Sequence, residues 1–521
     1  MRYGTLFVAV LLLLQAATGF AQDRKAAQEK APTPAQDAAA DEAGKESARE
    51  EPSVTRHSLK IDGKIFNYTA TAGRMPLKDD STGKVKANLF FIAYVVDGKD
   101  VGTGRPITFV FNGGPGSSSV WLHLGAVGPR RIVMEDGNVP LLPPYKVVEN
   151  FHSWLPATDL VFIDPVGTGF SRPAQGEAGK QFYGLKEDIQ WVGDFIRLYT
   201  TRYGRWLSPK FLAGESYGTY RAVGLADYLY ENFGMDFNGL VLISLALDFQ
   251  AFSYSPGNDL PYVTFLPSYT AAAWYHKKLS PDLQENLQNA LSRAEAWAGK
   301  EYLHALVQGD TLEEKEREEI AQGLERYTGL KKSFIRYHNL RINRSDFMNE
   351  LLRDENLSVG LLDARLTRKG ESTDFLNDPG MALATGPYVA ALNDYVRKEL
   401  KYETDLPYIF LSEEVNDQWD WGSRIRGYVS ILEPLKNVLT RSRRMKVFAA
   451  CGYYDLDTPY MGSRYSLSHL GLDAELQKNI SIGYYEGGHM LYTQTPVLEK
   501  LSADVTAFIK SAVAGTAESG K

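Results

Sequence analysis

The 521-residue chain contains a single cysteine, Cys451. One cysteine cannot form an intramolecular disulfide, so a small fold stapled by disulfides is excluded and core packing must hold the chain together. Cys451 itself is most simply interpreted as a small buried apolar residue.

The chain also lacks a strong excess of charge of either sign. Its 57 basic and 64 acidic residues give a formal net charge of −7. Without a basic surplus there is no electrostatic reason to expect a nucleic-acid partner, and we expect none. We see no internal repeat.

The amino terminus has an apolar stretch from Leu6 to Leu14, which is shorter than the roughly 20 residues of a membrane-spanning helix. Arg2 precedes it, and small residues around Ala21 suit a cleavage site, so residues 1–21 are interpreted as a secretory signal peptide. An uncleaved anchor is the alternative. We expect cleavage, no integral membrane segment afterwards, and a secreted or periplasmic protein.

Short apolar runs follow, separated by amphipathic helical patterns. Between two of the runs, Ile189, Val192, Phe195 and Tyr199 recur at the spacing of one buried helix face. Strands that alternate with helices predict an α/β fold with a mostly parallel sheet covered on both faces. The expected strands are 89–96, 107–111, 160–163, 211–213, 240–243, 446–450 and 480–485.

Composition and periodicity divide the chain into segments. One segment has no aromatic residue and no apolar period, which predicts a disordered linker. In another the strand pattern stops, and 281–298 and 311–327 have the composition and spacing of helices, which predicts a helical cap; a separate second domain is the alternative. The predicted boundaries are 22–55 for the linker, 56–250 for the first part of the core, 251–399 for the cap and 400–513 for the second part of the core.

The residues Gly214-Glu215-Ser216-Tyr217-Gly218 directly follow a short apolar run. A strand that turns sharply into a helix strains its turn residue, and glycines two positions either side relieve the crowding. Such a turn would expose the Ser216 hydroxyl as a nucleophile. A surface Ser-Gly turn is the alternative for a motif of this kind.

A serine hydroxyl needs a base, and the base needs an acid behind it. Asp455 and His489 follow the apolar runs 446–450 and 480–485, in the chain order serine, acid, histidine that α/β-hydrolases use. Asp457 is a rival acid two residues further on. His489 could instead be a histidine whose hydrogen bonds are satisfied within a turn.

The segment Asn112-Gly113-Gly114-Pro115-Gly116 directly follows the run 107–111. A tetrahedral intermediate needs preorganised backbone N–H donors, and these glycines let the main chain approach a substrate closely. The second donor would be the amide of Tyr217, next after the nucleophile. A plain Gly-Pro turn is the alternative.

With these segments the chain resembles the serine carboxypeptidase family of α/β-hydrolases, as a bacterial-type secreted member. The resemblance also covers 164–171 and Gly487-Gly488-His489-Met490, so that it extends over most of 106–492. It implies an α/β-hydrolase fold and an exopeptidase without metal or cofactor, which removes the last residue of a peptide through an acyl-enzyme.

The resemblance also implies a role for each site residue. Ser216 would be the nucleophile, His489 the base and Asp455 its partner, while Gly114 and Tyr217 would form the oxyanion hole. Asn112, Gly113 and Glu215 would bind the substrate, with Asn112 and Glu215 holding its terminal carboxylate.

A glutamate placed against another carboxylate must be protonated if the two are to share a hydrogen bond. We therefore expect Glu215 to favour peptide hydrolysis at acidic pH, whereas activity on blocked esters should be less affected by rising pH. A buried carboxyl bonded within the protein is the alternative. Ala126 stands where the family often has a second clamp glutamate, which leaves an esterase, an acyltransferase or a catalytically silent binding protein as competing functions.

Overall fold

The computed structural model describes residues 51–98, 104–134, 141–371, 375–422 and 427–517. The predicted signal peptide and most of the predicted linker lie outside these ranges. The linker boundary at residue 55 is wrong, because residues 53–55 belong to the first strand. There the backbone of Ser53 and Thr55 pairs with Ala72 and Ala70 of the second strand.

A ten-stranded sheet forms the centre of the fold. Two further pairs of short strands, β5 with β6 and β11 with β12, lie apart from it. The strands are β1 (Ser53–Ile61), β2 (Lys64–Lys78), β3 (Val85–Val96), β4 (Ile107–Phe111), β5 (Arg130–Ile132), β6 (Val147–Glu149), β7 (Asp159–Ile163), β8 (Arg172–Pro173), β9 (Lys210–Ser216), β10 (Gly239–Leu245), β11 (Leu357–Val359), β12 (Thr367–Lys369), β13 (Lys446–Gly452) and β14 (Ile480–Tyr485).

The order of the sheet is β1-β2-β3-β7-β4-β9-β10-β13-β14, and β8 pairs with β3. The six strands from β7 to β14 run parallel, whereas β1, β2 and β3 pair antiparallel at one edge. The predicted mostly parallel sheet is thus confirmed, and β9 lies near its middle.

Helices cover both faces of the sheet. Alternate residues of β9 enter different cores, Leu212 on one face and Phe211 and Ala213 on the other, which is the period-two pattern of a sheet buried on both sides. The helices are α1 (Val120–Leu122), α2 (Leu185–Arg202), α3 (Tyr217–Phe233), α4 (Leu260–Tyr275), α5 (Pro281–Gln284), α6 (Leu287–Trp297), α7 (Leu303–Gln308), α8 (Glu314–Thr328), α9 (Lys332–Tyr337), α10 (Arg344–Glu350), α11 (Pro379–Lys398), α12 (Glu413–Asp417), α13 (Leu432–Arg441), α14 (Tyr460–Ser468), α15 (Ala474–Gln477) and α16 (Thr495–Ala517).

Short 3₁₀ and π segments complete the described secondary structure. The 3₁₀ turns are Gly179–Phe182, Phe249–Ala251, Gly309–Thr311, Arg353–Glu355 and Leu491–Thr493, and the π turns are His123–Val127 and Ala298–Tyr302. In the described part of the chain, no helix combines the length and the apolar character that crossing a bilayer demands.

A long insertion separates β10 from β13, although these two strands are neighbours in the sheet. It contains the helices α4 to α13 and the hairpin of β11 and β12. The segment 281–298, predicted as continuous helix, is broken into α5 and α6. The Asn286 side chain accepts a hydrogen bond from the Asn289 amide at 2.9 Å and so caps the start of α6.

Candidate active site

Ser216 stands at the junction of β9 and α3, where strand turns directly into helix. Its φ of 59° and ψ of −130° are strained for a residue with a β-carbon. The junction is crowded: a β-carbon at Gly214 would lie 2.1 Å from the Gly218 carbonyl oxygen. The two glycines therefore make room for the turn that displays the serine.

The segment Asn112 to Gly116 lies against this turn. A β-carbon on Gly113 would lie 2.5 Å from the Tyr217 amide nitrogen, so this position accepts only glycine. Gly114 has a φ of +99°, which also favours glycine, and it is exposed to the cavity that Ser216 lines. The structure thus brings the two segments that sequence reasoning chose as oxyanion donors side by side.

A buried hydrogen bond joins His489 to Asp455, with 2.8 Å between Nδ1 and Oδ2. Both side chains follow the carboxyl ends of neighbouring parallel strands, β13 and β14. Burial alone would lower the pKa of His489, but the nearby carboxylates, Asp455 first among them, together outweigh burial and raise it above its ordinary value. The pair can therefore hold a proton on the imidazole after the base has taken it from a hydroxyl.

Asp455 is held by three further hydrogen bonds. Its Oδ1 accepts from the amides of Asp457 and Thr458 at 2.8 and 2.9 Å, and its Oδ2 accepts from the Thr458 hydroxyl at 2.6 Å. Asp457, the rival acid, instead pairs with Arg344 at 2.9 Å. The His489 imidazole is therefore paired with Asp455 and not with Asp457.

Two contacts to His489 escaped sequence reasoning. A bulge in β10 places Ser244, whose φ is 51°, so that its hydroxyl donates to the His489 carbonyl at 2.7 Å. The His489 amide donates to the Leu362 carbonyl at 2.6 Å. An isolated bulge and a contact between residues more than a hundred positions apart leave no pattern that single-sequence reasoning can find.

Asn112 is fixed by its neighbours. Its side-chain oxygen accepts from the Leu122 amide at 3.0 Å, and its side chain also hydrogen-bonds Glu215, which lowers the pKa of that carboxyl. Its carbonyl accepts from the buried Arg221 at 2.5 Å, and Arg221 in turn pairs with Asp188 at 2.7 Å. This buried ion pair stabilises the segment that precedes Gly113.

Glu215 is only 4% exposed, and its Oε2 has no hydrogen-bond partner among the described residues. Burial is the main reason why its pKa is raised to about 7, while His489, Tyr492 and Asn112 pull it down in part. A carboxyl with a vacant buried oxygen beside the candidate nucleophile can accept a proton near neutral pH and then donate a hydrogen bond.

Ser216, His489 and Glu215 line one cavity of about 480 Å³. No hydrogen bond links the Ser216 hydroxyl to His489 in the described residues, and such contacts are often long before a substrate binds. Most of the wall is apolar, and Met490, which follows His489 directly in sequence, is part of it. Further lining residues include Trp121, Leu362, Phe375, Leu376, Met381, Leu411, Glu413, Asn416 and Asp417.

Two further residues lie outside the cavity. Arg130 pairs with Glu399 at 2.9 Å. Cys451 is buried in β13 and its pKa is raised to about 12 by desolvation, so its thiol is neutral. The described residues contain no cluster of three or more side chains suited to hold a metal ion.

The sheet order and the placement of Ser216, Asp455 and His489 after parallel strands define an α/β-hydrolase. The chain belongs to the serine carboxypeptidase family, since the model of that family matches residues 77–495. The predicted family is confirmed; that the chain is a bacterial-type member stays a prediction.

Several known proteins are similar to this chain. Pheromone-processing carboxypeptidase KEX1 of Yarrowia lipolytica is 31% identical over 194 residues, which cover 36% of this chain. Serine-type carboxypeptidase F of Aspergillus niger is 32% identical over 172 residues, covering 32% of this chain. In both cases the match spans only 28% of the relative's length.

A solved structure shares the fold. It is that of KEX1(delta)p, a prohormone-processing carboxypeptidase from Saccharomyces cerevisiae, with a TM-score of 0.54 and 17% identity. The match covers 85% of this chain and 92% of that one. At this identity the likeness establishes the fold alone.

Proposed function

We propose that the protein is a serine-type carboxypeptidase that releases the carboxyl-terminal residue of a peptide through an acyl-enzyme on Ser216. The observation that carries the proposal is the buried carboxyl of Glu215, whose Oε2 has no hydrogen-bond partner among the described residues, beside Ser216 in the cavity that His489 also lines. A site for a terminal carboxylate next to the nucleophile distinguishes an exopeptidase from a general hydrolase.

In the proposed reaction the Ser216 hydroxyl attacks the carbonyl carbon of the last peptide bond, and His489 takes its proton. The oxyanion is stabilised by the amides of Gly114 and Tyr217. His489 then gives the proton to the leaving amine, and the carbon–nitrogen bond breaks. Water attacks the resulting ester by the same route and frees Ser216.

The terminal carboxylate of the substrate would bind between the Asn112 amide and protonated Glu215. Because the pKa of Glu215 is about 7, this carboxyl keeps its proton in acid and loses it as the pH rises. Two like charges at contact repel, so binding of a free peptide through its terminal carboxylate is favoured at acidic pH.

We expect the KM for free peptides to rise above a pH of about 7 in the wild-type protein. In Glu215→Gln the neutral amide can donate at every pH, so the KM should lose this pH dependence. Esters whose terminal carboxylate is blocked provide the control, since their KM should change neither with pH in this range nor with the Glu215→Gln substitution. Identical pH profiles for free and blocked substrates would contradict the assigned role of Glu215.

Ser216→Ala should lower peptide turnover by several orders of magnitude, because triad residues act as a unit. A serine-directed phosphonate should label the wild-type protein at Ser216 and leave the variant unlabelled. Absence of labelling in folded wild-type protein would favour the catalytically silent alternative.

The apolar cavity wall, with Trp121, Leu411 and Met490, would also accept an acyl ester. An esterase or acyltransferase is therefore the second candidate, because another acceptor can replace water at the acyl-enzyme. Blocked dipeptides compared with small esters separate the candidates.

Export is also proposed, and a mature chain beginning near Gln22 in the extracellular or periplasmic fraction is the expected result.

A further inference from the structure

The loop between β11 and β12, residues 360–366, reaches from the insertion to both loops of the acid–base pair. The Leu456 amide donates to the Leu361 carbonyl at 3.0 Å, and the Ala364 amide donates to the Tyr454 carbonyl at 2.9 Å. The His489 amide donates to the Leu362 carbonyl at 2.6 Å. One loop of the insertion thus binds the main chain on both sides of Asp455 and at His489.

The sequence of the histidine loop makes room for this contact. A β-carbon on Gly488 would lie 2.3 Å from the Leu362 carbonyl oxygen and 2.6 Å from the Asp363 β-carbon. Gly488 does not have a positive φ, so its need for glycine comes from the close approach of the loop.

A buried ion pair closes the loop 360–366 on itself. Arg365 and Asp363 are 7% and 9% exposed, and the guanidinium binds both carboxylate oxygens, at 2.9 Å from Nε and 2.6 Å from Nη2. Such forked geometry is specific to arginine. The guanidinium also lies over the Tyr454 ring, 4.8 Å from its centroid.

The third arginine nitrogen extends the ion pair to the histidine loop. Arg365 Nη1 donates to the Glu486 carbonyl at 2.7 Å and to the Gln494 side-chain oxygen at 2.8 Å. These two acceptors flank His489 in sequence. Arg365 therefore joins its own loop, the Tyr454 ring and both sides of the histidine loop, without lining the cavity itself.

We propose that Arg365 is a positioning residue, which sets the alignment of the His489 imidazole with Asp455 through the loop 360–366. The inference rests on the proposed role of His489 as the base. It gives the insertion a second task besides covering the cavity, because the insertion supplies the brace between two loops that are far apart in sequence.

The test measures the rate at which a phosphonate labels Ser216 as a function of pH. This rate reports activation of the serine by His489 and does not depend on the identity of the substrate. Arg365→Met is compared with wild type and with Arg368→Met, which replaces a half-buried arginine nearby whose guanidinium donates to the Asn377 carbonyl. Thermal unfolding is recorded for each protein.

In Arg365→Met we expect the alkaline plateau of the labelling rate to fall about tenfold or more, since small displacements of a catalytic group are costly. The charged groups that face His489 are Asp455, Asp457 and Glu215, and they raise its pKa. A looser contact with Asp455 should move the midpoint of the pH profile to lower pH. On peptides, kcat should fall while KM stays near its wild-type value.

Simple loss of stability would lower the unfolding temperature without moving the midpoint of the pH profile of the labelling rate. An unchanged plateau and midpoint in folded Arg365→Met would overturn the proposal. If Arg365→Met does not fold, Arg365→Lys and Gln494→Leu decide the question. Each variant removes part of the contacts that Arg365 makes, so each should lower the alkaline plateau of the labelling rate by less than the fall expected for Arg365→Met. Wild-type pH profiles in both variants would count against the proposal.

The proposed function and the positioning role fail in different ways. Labelling of wild-type Ser216 without release of terminal residues from peptides would refute the carboxypeptidase, yet the labelling profiles would still decide the role of Arg365. A folded wild-type protein that is not labelled would overturn both.

Discussion

Glu215 illustrates how a single buried residue can connect stability to a proposed function. Its pKa of about 7 lies above the ordinary value of a glutamate, because burial penalises the charged form. The native state therefore binds more protons than the unfolded chain between pH values of about 4.5 and 7. By linkage, its contribution to the free energy of unfolding falls as the pH rises through this window.

We predict that Glu215→Gln loses this part of the pH dependence of stability. At pH 8 the variant should be more stable than wild type by up to roughly 3 kcal/mol, since each pKa unit corresponds to about 1.4 kcal/mol. Chemical denaturation at pH 4 and pH 8 measures the effect. Glu285→Gln, at an exposed helix end, is the control and should follow wild type; parallel curves for all three proteins would contradict the prediction.

At the scale of the element, the segment after β4 packs closely against the start of α3. The Gly113 position faces the Tyr217 amide so closely that even a methyl group would force the two apart. The separation of these segments sets where the proposed oxyanion donors point.

We predict that Gly113→Ala lowers kcat by about 10²-fold or more, which is the loss that follows removal of one oxyanion-hole donor in other enzymes. Steady-state kinetics on a blocked ester measure the loss. Gly299→Ala is the matched control, because a β-carbon there meets no atom within 4 Å. Equal kcat values for the two variants would argue against a donor role for this segment.

The strands show what the sequence could predict and why. Continuous apolar runs predict β4 and β14 with the bounds that the structure has, because a strand buried in a parallel sheet leaves such a run. The hairpin of β1 and β2 was missed. Its residues alternate between exposed and more buried positions, but polar residues such as Thr55 and His57 occupy the half-buried positions of β1 and hide the period.

The residues of the candidate site likewise divide into those that the sequence could predict and those that it could not. Ser216, Asp455 and His489 follow strands and carry recognisable neighbours, so the sequence brings them to one edge; their catalytic roles stay predictions. Thr458 and Arg365 could not be found. Their importance arises from hydrogen bonds made only in the folded chain, and their neighbours in sequence give no sign of it.

At the scale of the whole molecule, the fold is held by two large apolar cores, one on each face of the sheet. The only cysteine, Cys451, is 1% exposed in β13. Its elevated pKa and its burial both suppress the thiolate, which is the reactive form.

We predict that a reducing agent leaves the unfolding temperature unchanged. A thiol reagent should modify Cys451 only after unfolding. Calorimetry with and without reductant, together with the kinetics of thiol labelling under native and denaturing conditions, measures both. A shift of the unfolding temperature with reductant would reveal a covalent link between chains.

The neighbouring strands β10 and β13 pair from Gly239 with Lys446 onward, although about 200 residues of chain lie between them. A pairing so remote in sequence has a high entropic cost of closure and comes late in folding. Ser216 is synthesised before this stretch and His489 after it. A ribosome-bound or truncated chain consequently lacks His489, and the proposed hydrolysis must wait until nearly the entire polypeptide has been made and folded.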